Sequence, residues 1–435
     1  MHPSRSIRGK RSQLLAGRRI VLGISGSIAA IEVPRIAREL IRHGADVRAV
    51  MSAESTRLVT PEAVQFATGH PAVTQLSGDV EHVSLLGPGE ERADLLLLAP
   101  ATANTISKIA HGIDDTPVTS CASVALGGGV PILVAPAMHA HMGQNPAVQE
   151  NLDKLRGWGV GVIDPQSSEG EEKIASPEEV AAAVLHRLAQ GPLAGRRLIV
   201  VGGASREPID AVRSVTNEST GETAIALASQ AFYRGASVEL WSGAVQLPFP
   251  SYFPVVRWGS VEDLASLIRK RSESLAVADV VLVPAALSDY TLRAEAGKIA
   301  SRERPELTLS LTRAPKILPE LRRRLPSRAI LVGFKLEAAR STGELASSAE
   351  RLRREADLDY VVANDRASMG APTTSALILA RDGRRHWLQG PKAEFAGKLL
   401  DDIGRDLAGA PVTGAKRVAT RPARHRAPRR RPRRG

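Results

Sequence analysis

Twice in this chain a basic turn leads into an apolar strand that ends in small, loop-forming residues: "GRRIVLGISGS" at 17–27 and "GRRLIVVGGAS" at 195–205. Each is followed by an amphipathic helical stretch and then, after "HGADV" or "RGASV", by a second apolar strand. A helix placed between two such strands is a crossover, and a crossover leaves its strands parallel. A chain that opens this way twice is constrained to an α/β architecture with two doubly wound, Rossmann-like parallel sheets.

The remaining periodicity fills in both units. Strands are expected at 19–24, 46–51, 94–98, 131–135 and 160–163, alternating with helices near 28–43, 61–67, 102–111, 117–126, 146–157 and 177–189. Beyond "AQGPLAG" (189–195), strands near 197–202, 236–241, 279–284, 329–334 and 359–363 alternate with helices near 222–234, 260–273, 316–325 and 343–355. Strands near 374–380 and 385–389 and a helix at 391–407 close the second unit. The 435 residues suffice for two cores, and with aromatics at 3%, Ala, Leu, Val and Ile must fill them.

The formal charge of +12 is concentrated at the ends. The tail 414–435 carries ten Lys/Arg and no acid, and the head "MHPSRSIRGKR" adds four, so the globular part is near neutral. Residues 1–16 and 411–435 are therefore expected to be a disordered basic head and tail. The tail could make weak contact with polyanions. It has no RNA-binding motif or interleaved aromatics, which favours a solvated extension over a nucleic-acid-binding protein. Cys121 is the single cysteine, which excludes an intramolecular disulfide and a multi-cysteine metal site. No apolar run reaches 18 residues and the N-terminus lacks the apolar core of a secretory signal, so a soluble cytoplasmic protein is expected.

Chemistry gathers where strands of the first unit end: "GISGSIAA", "APATANTISKIAHGIDDTP" and "APAMHAHMGQNP", with a lone His82 in "VEHVSL". Ligands of doubly wound sheets sit beyond the strand carboxyl ends, so these loops should share one rim. Neither Gly/Ser loop is a full GxGxxG or GxxxxGK[ST]. That absence counts against the rival reading of a two-domain NAD(P) oxidoreductase. His139 and His141 are two apart and do not share a helical face, and no cysteine or nearby carboxylate completes a metal set.

In their order and spacing these motifs resemble the bifunctional phosphopantothenoylcysteine decarboxylase/phosphopantothenate–cysteine ligases of coenzyme A biosynthesis, from about residue 17 to 408. The resemblance implies a flavodoxin-like flavoprotein (decarboxylase) domain at 17–190 and a ligase domain at 191–410. In the first it implies an FMN site from Gly23, Ser25, Gly26, Ser27, Ser52, Ala101, Thr102, Asn104 and Met138, with Ser25, Ser27 and Ser52 offering hydroxyls to the phosphate. His82 matches the catalytic histidine, and "PAMHAHM" resembles the substrate clamp PxMNxxMW, with His139 as a catalytic residue. The implied reaction oxidises the cysteinyl thiol with FMN, releases CO2 and returns the product to the thiol, giving 4'-phosphopantetheine. In the second domain Asn217 matches the residue that stabilises an acyl-nucleotide and Lys298 the catalytic lysine. Ala285, Asp289, Lys298, Pro315, Lys316, Ile317, Leu318 and Phe334 match nucleotide contacts. The implied substrates are 4'-phosphopantothenate, cysteine and a nucleotide, with CTP expected and the choice between CTP and ATP left open by the sequence, together with Mg2+. The implied assembly is a homo-oligomer with trimeric flavin domains and dimeric ligase domains.

Departures from the bacterial pattern are specific. His139 stands for Asn and Gly143 for Trp, the His form being that of archaeal relatives. Lys316 stands for Asp, and Arg351, Arg353 and Arg354 occupy a segment where bacterial members carry lysines. The flap "PQSSEGEEKIASP" (165–177) lacks the family's proton-donating cysteine and offers only Glu171, Glu172 or Lys173. That gap sustains a second reading, a ligase with a non-catalytic flavin-binding domain.

Overall fold

The structure, a computed structural model, describes residues 2–168, 171–300, 306–338, 341–366, 371 and 373–408, with the backbone alone at 166–168 and 171–173. In the first half β1 (Arg19–Ile24), β2 (Asp46–Met51), β3 (Leu95–Ala101), β4 (Ile132–Pro136) and β5 (Gly161–Val162) form a parallel sheet in the order β2-β1-β3-β4-β5. Its helices are α1 (Pro3–Ile7), α2 (Val33–Arg42), α3 (Pro61–Thr68), α4 (Glu81–Leu86), α5 (Ala103–His111), α6 (Pro117–Gly128), α7 (Ala140–Gly143), α8 (Pro146–Gly157) and α9 (Pro177–Leu188). All seven residues of β3 are buried, because α2 and α9 cover one face of the sheet and α5, α6 and α8 the other. The chain runs from β1 outward to β2 and then returns past β1 to β3. The loops after β1 and β3 therefore part at the sheet's carboxyl edge and open a crevice, the flavodoxin-like arrangement. β6 (Gln166–Ser168) and β7 (Glu171–Lys173) form a small antiparallel hairpin in the flap.

The second half contains β8 (Arg197–Gly202), β9 (Arg206–Pro208), β10 (Ser214–Thr216), β11 (Ser237–Ser242), β12 (Val255–Arg257), β13 (Val280–Val283), β14 (Tyr290–Thr291), β15 (Thr312–Arg313), β16 (Ile330–Glu337), β17 (Tyr360–Asp365), β18 (Thr373–Ala380) and β19 (Arg385–Pro391). Its helices are α10 (Glu222–Tyr233), α11 (Val261–Lys270), α12 (Ser272–Ala276), α13 (Ile317–Arg322), α14 (Thr342–Glu355) and α15 (Lys392–Leu407). Eight strands form one sheet in the order β12-β11-β8-β13-β16-β17-β18-β19.

Four expectations change. The second sheet is mixed, not wholly parallel: β18 runs antiparallel to β17 and to β19. The connections from 365 to 373 and from 380 to 385 are too short for a crossover helix, so the chain can only reverse. The helix near 28–43 starts as a 3-10 turn (Ile28–Glu32) before α2, whose second residue is Pro34, tolerated there because a first-turn N–H has no helical partner. The strand at 160–163 shortens to Gly161–Val162, and β12 was not foreseen in "PVVRW".

The basic head is folded as well. α1 lies against α2 and α3, Leu15 is fully buried, and Arg8 and Arg11 pair with Asp46 and Glu39. Burial opposes ionisation of Glu39, yet its hydrogen bond to His43, with Arg11 and Arg42, holds its carboxyl below the usual range. The head's charges thus have carboxylates to meet, which a count of basic residues does not reveal. The tail expected at 411–435 lies outside the described residues.

Arg196, in the second "GRR" turn, ties the second half together. Its guanidinium donates to Asp279, to the carbonyl of Pro192 in the connection and to that of Leu407 at the end of α15. Asp279 also accepts the Arg197 N–H at 2.9 Å. Both side chains are almost wholly buried. Asp279→Ala should cost about 3–5 kcal/mol, because it strands a buried cation. The loss should appear in urea unfolding of the second half, while unfolding of the first half is unchanged.

Candidate active sites at two sheet edges

In the first half, backbone and hydroxyl groups lock the strand ends together. Ser25 donates its hydroxyl to the Pro100 carbonyl at 2.8 Å and accepts the Thr102 N–H at 2.9 Å. The loop after β1 also presses on the segment after β2: a Cβ on Gly26 would fall 2.4 Å from Glu54 Cβ, so only glycine fits. Ser27 caps the 3-10 turn, Thr102 caps α5, and Thr116 and Thr119 form a reciprocal capping box on α6. These three helix starts surround a cleft of about 390 Å³, with Lys108 and Met138 among its other walls. Unpaired N–H groups and the dipole at helix starts attract an anion. Lys108, 2.7 Å from Asp115, adds a cation. Met138 and Met142 give a polarisable wall to a flat ring.

This set fits a flavin mononucleotide, with phosphate donors at the helix starts and an apolar thioether wall. Of the expected cofactor residues, Gly26, Ser27, Ser52, Thr102, Asn104 and Met138 line the cleft. Gly23, Ser25 and Ala101 are not on its wall. A Cβ at Gly23 would strike Leu98 at 2.7 Å, Ala101 is fully buried, and the Ser25 hydroxyl is already committed to Pro100. Ser25 therefore shapes the site from behind. Glu54, Lys108, Thr116 and Thr119 are lining residues that sequence reasoning passed over. The Thr-Pro pair at 116–117 was a readable helix-start signal.

The histidines are placed differently. His82 sits on α4, which packs on α6, and is not on the cleft wall; its Nδ1 is buried without a hydrogen-bond partner among the described residues. His139 is exposed and caps α7 through its ring nitrogen, which accepts the His141 N–H. Its ring lies 5.0 Å from that of His141. Among the described residues no three His, Cys, Asp or Glu cluster as metal ligands. Cys121 is fully buried, and desolvation, with Asp114 and Glu81 adding to it, pushes its thiol up to about 12. That is a packing cysteine.

The second site lies at the carboxyl edge of the other sheet. Ser219–Thr223 at the start of α10, Pro284–Ala286 after β13, and Phe334, Asn364 and Lys392 enclose about 160 Å³. Ala285 and Phe334 are on its wall, and Asn217 directly precedes the wall residue Glu218. Lys392 is buried there and pairs with Glu222 at 2.5 Å, a pair sequence reasoning did not single out. Asp289, Lys298, Pro315, Lys316, Ile317 and Leu318 lie off this wall. Lys298 is exposed, and Ile317 is turned into the core. Lys316 lies 3.0 Å from Asp289 at the start of α13, so these two exposed charges meet each other.

Residues 8–189 match the Flavoprotein family, and residues 193–407 match the DNA/pantothenate metabolism flavoprotein C-terminal domain. The chain is similar to the coenzyme A biosynthesis bifunctional protein CoaBC of Thermococcus kodakarensis, 41% identical over 94% of this chain and 100% of that one. It is also similar to the proteins of the same name from Methanocaldococcus jannaschii (35% identical, 84% of this chain and 88% of that one) and Bacillus subtilis (31%, 90% and 97%). Both halves are present, in the same order and over nearly the full length of these relatives, and the chain belongs to the family of coenzyme A biosynthesis bifunctional proteins.

Proposed function

We propose that the two clefts perform consecutive reactions on one substrate skeleton. In the ligase half, the carboxylate of 4'-phosphopantothenate attacks the α-phosphate of CTP, pyrophosphate leaves, and the amine of cysteine displaces CMP to form the amide. A carboxylate resists amine attack until activated in this way. Lys298 neutralises charge developing on the phosphate oxygens, Asn217 holds the acyl-nucleotide, and Mg2+ enters with the nucleotide. Asp289, Pro315 and Lys316 meet the nucleotide, and Ile317 and Leu318 do so through their backbone N–H groups at the start of α13, with Ala285 and Phe334 already on the cleft wall. The observation that carries this reading is the full-length likeness to the Thermococcus protein, supported by Gly26, Ser27, Thr102 and Met138 on the wall of the first cleft and Ala285 and Phe334 on that of the second.

In the flavin half the product, 4'-phosphopantothenoylcysteine, loses CO2. FMN, when bound, supplies the reversible two-electron oxidation that makes the carboxylate a leaving group. The helix starts at Ser27, Thr102 and Thr116 hold its phosphate, and the His139 imidazole hydrogen-bonds the substrate carboxylate. His82 handles the proton of the reacting cysteinyl group. Its position off the wall of its own cleft supports a homo-oligomer in which it serves another copy's cleft; we take that assembly to have trimeric flavin domains and dimeric ligase domains, as the resemblance implies. With Cys121 buried, the acid for the last step comes from the flap, where the side chains of Glu171, Glu172 and Lys173 lie outside the described residues. No helix among the described residues is long and apolar enough to cross a membrane, and we place both reactions in the cytoplasm.

The two sites can be separated. His82→Asn should abolish CO2 release from 4'-phosphopantothenoylcysteine and leave amide formation intact; unchanged CO2 release removes His82 from the reaction. Lys298→Gln should stop CTP-dependent pyrophosphate release while FMN stays bound, and release at the wild-type rate would show the nucleotide loop misassigned. Gly26→Val should yield protein whose absorbance shows at least a tenfold loss of bound flavin, with ligation retained.

A further inference from the structure

We infer that Asp210 is a positioning residue for the ligase reaction, holding Lys298 and Asn217 in one frame; the inference rests on the reading of Lys298 as catalytic. Asp210 stands in the turn between β9 and β10, and its side chain is fully buried. One carboxylate oxygen accepts the N–H groups of Val212 and Arg213, both at 2.8 Å. The other accepts the Arg213 guanidinium and, at 3.0 Å, the N–H of Ile299, the residue after Lys298. The Arg213 guanidinium donates in turn to the Ile299 carbonyl at 2.9 Å. On the other side of Lys298, the Gly297 carbonyl accepts the Ala211 N–H at 3.2 Å, and two residues earlier the Glu295 N–H donates to Ile209.

Lys298 is thus an exposed side chain on a peptide gripped on both sides by one turn. The same turn leads through β10, paired with β9, to Asn217. The Thr216 hydroxyl donates to the Ser205 carbonyl at the base of that hairpin, fixing where Asn217 emerges. The hydrogen bond from Arg213, with those from the Val212, Ile299 and Arg213 N–H groups, holds the Asp210 carboxyl well below the usual carboxylate range, so the clasp is charged at neutral pH. A lysine on an unsupported loop samples many positions. One whose neighbouring peptides are pinned does not, and a misplacement of about 1 Å can cost a hundredfold in rate.

Asp210→Asn separates positioning from folding. Its carbonyl oxygen still accepts from Val212 and Arg213, so the turn survives, but its amide group cannot accept from Ile299. The readout is single-turnover pyrophosphate release with CTP and 4'-phosphopantothenate, with flavin content, CO2 release and urea unfolding as controls. We expect Asp210→Asn to lower the rate about tenfold to a hundredfold, with KM for CTP changed less than about threefold. Asp210→Asn should add less to Lys298→Gln than its own single-variant loss, because the part that acts through Lys298 is already gone. Multiplying losses, a wild-type rate in Asp210→Asn, or a rate that follows stability through Asp210→Asn and Asp210→Ala would each overturn the inference, as would an unfolded ligase half in Asp210→Asn. A wild-type rate in Lys298→Gln would instead overturn the reading beneath it.

Discussion

The constraint on which the rest depends is that the central strands are buried on both faces. β3 has no exposed residue, and β8 and β13 are buried almost throughout. A polar group on such a strand would lie in a layer where nothing satisfies it. Chemistry is therefore pushed to the strand ends, and at the carboxyl edge it meets the starts of the following helices, whose free N–H groups suit anions. Both substrates of the paired reactions carry phosphate, so one architecture used twice serves both halves.

The halves differ in how the edge is held. In the flavin half the clasp is neutral: one serine hydroxyl joins the ends of β1 and β3, and capping threonines face the cleft. In the ligase half the clasp is ionic and reaches across long loops. Glu207, almost wholly buried, accepts the Val261 N–H and the Thr291 hydroxyl, and Asp210 accepts from Ile299. Long loops have more conformational freedom to lose, and charged hydrogen bonds are the stronger restraint.

The seam between the halves is aromatic, in a chain with few aromatics. His186 of α9 stacks on Phe232 of α10 with ring centres 4.2 Å apart, and Tyr252 lies 4.7 Å from Phe232. Flat rings bury much area with few torsions to order, so these side chains contribute to joining the two units.

Much was determined by sequence alone. Local order along the chain encodes strand and helix periodicity and the two glycine-bounded openings, because each depends on neighbours a few residues apart. The family resemblance added candidate site residues, of which Phe334 lies on the wall of the second cleft and Lys298 does not. Tertiary structure decided what depends on distant partners: that the basic head folds because Glu39 and Asp46 await it, that Ser25 is spent on Pro100, that His82 lies off its own cleft, and that β18 reverses. It also decided which carboxylates matter. Asp210 and Glu207 sit in "SREPID" like any loop acids, and only folding brings Ile299, Val261 and Thr291 to them. A side chain's partners 50 to 90 residues away are set by how the layers pack, and no local pattern records them.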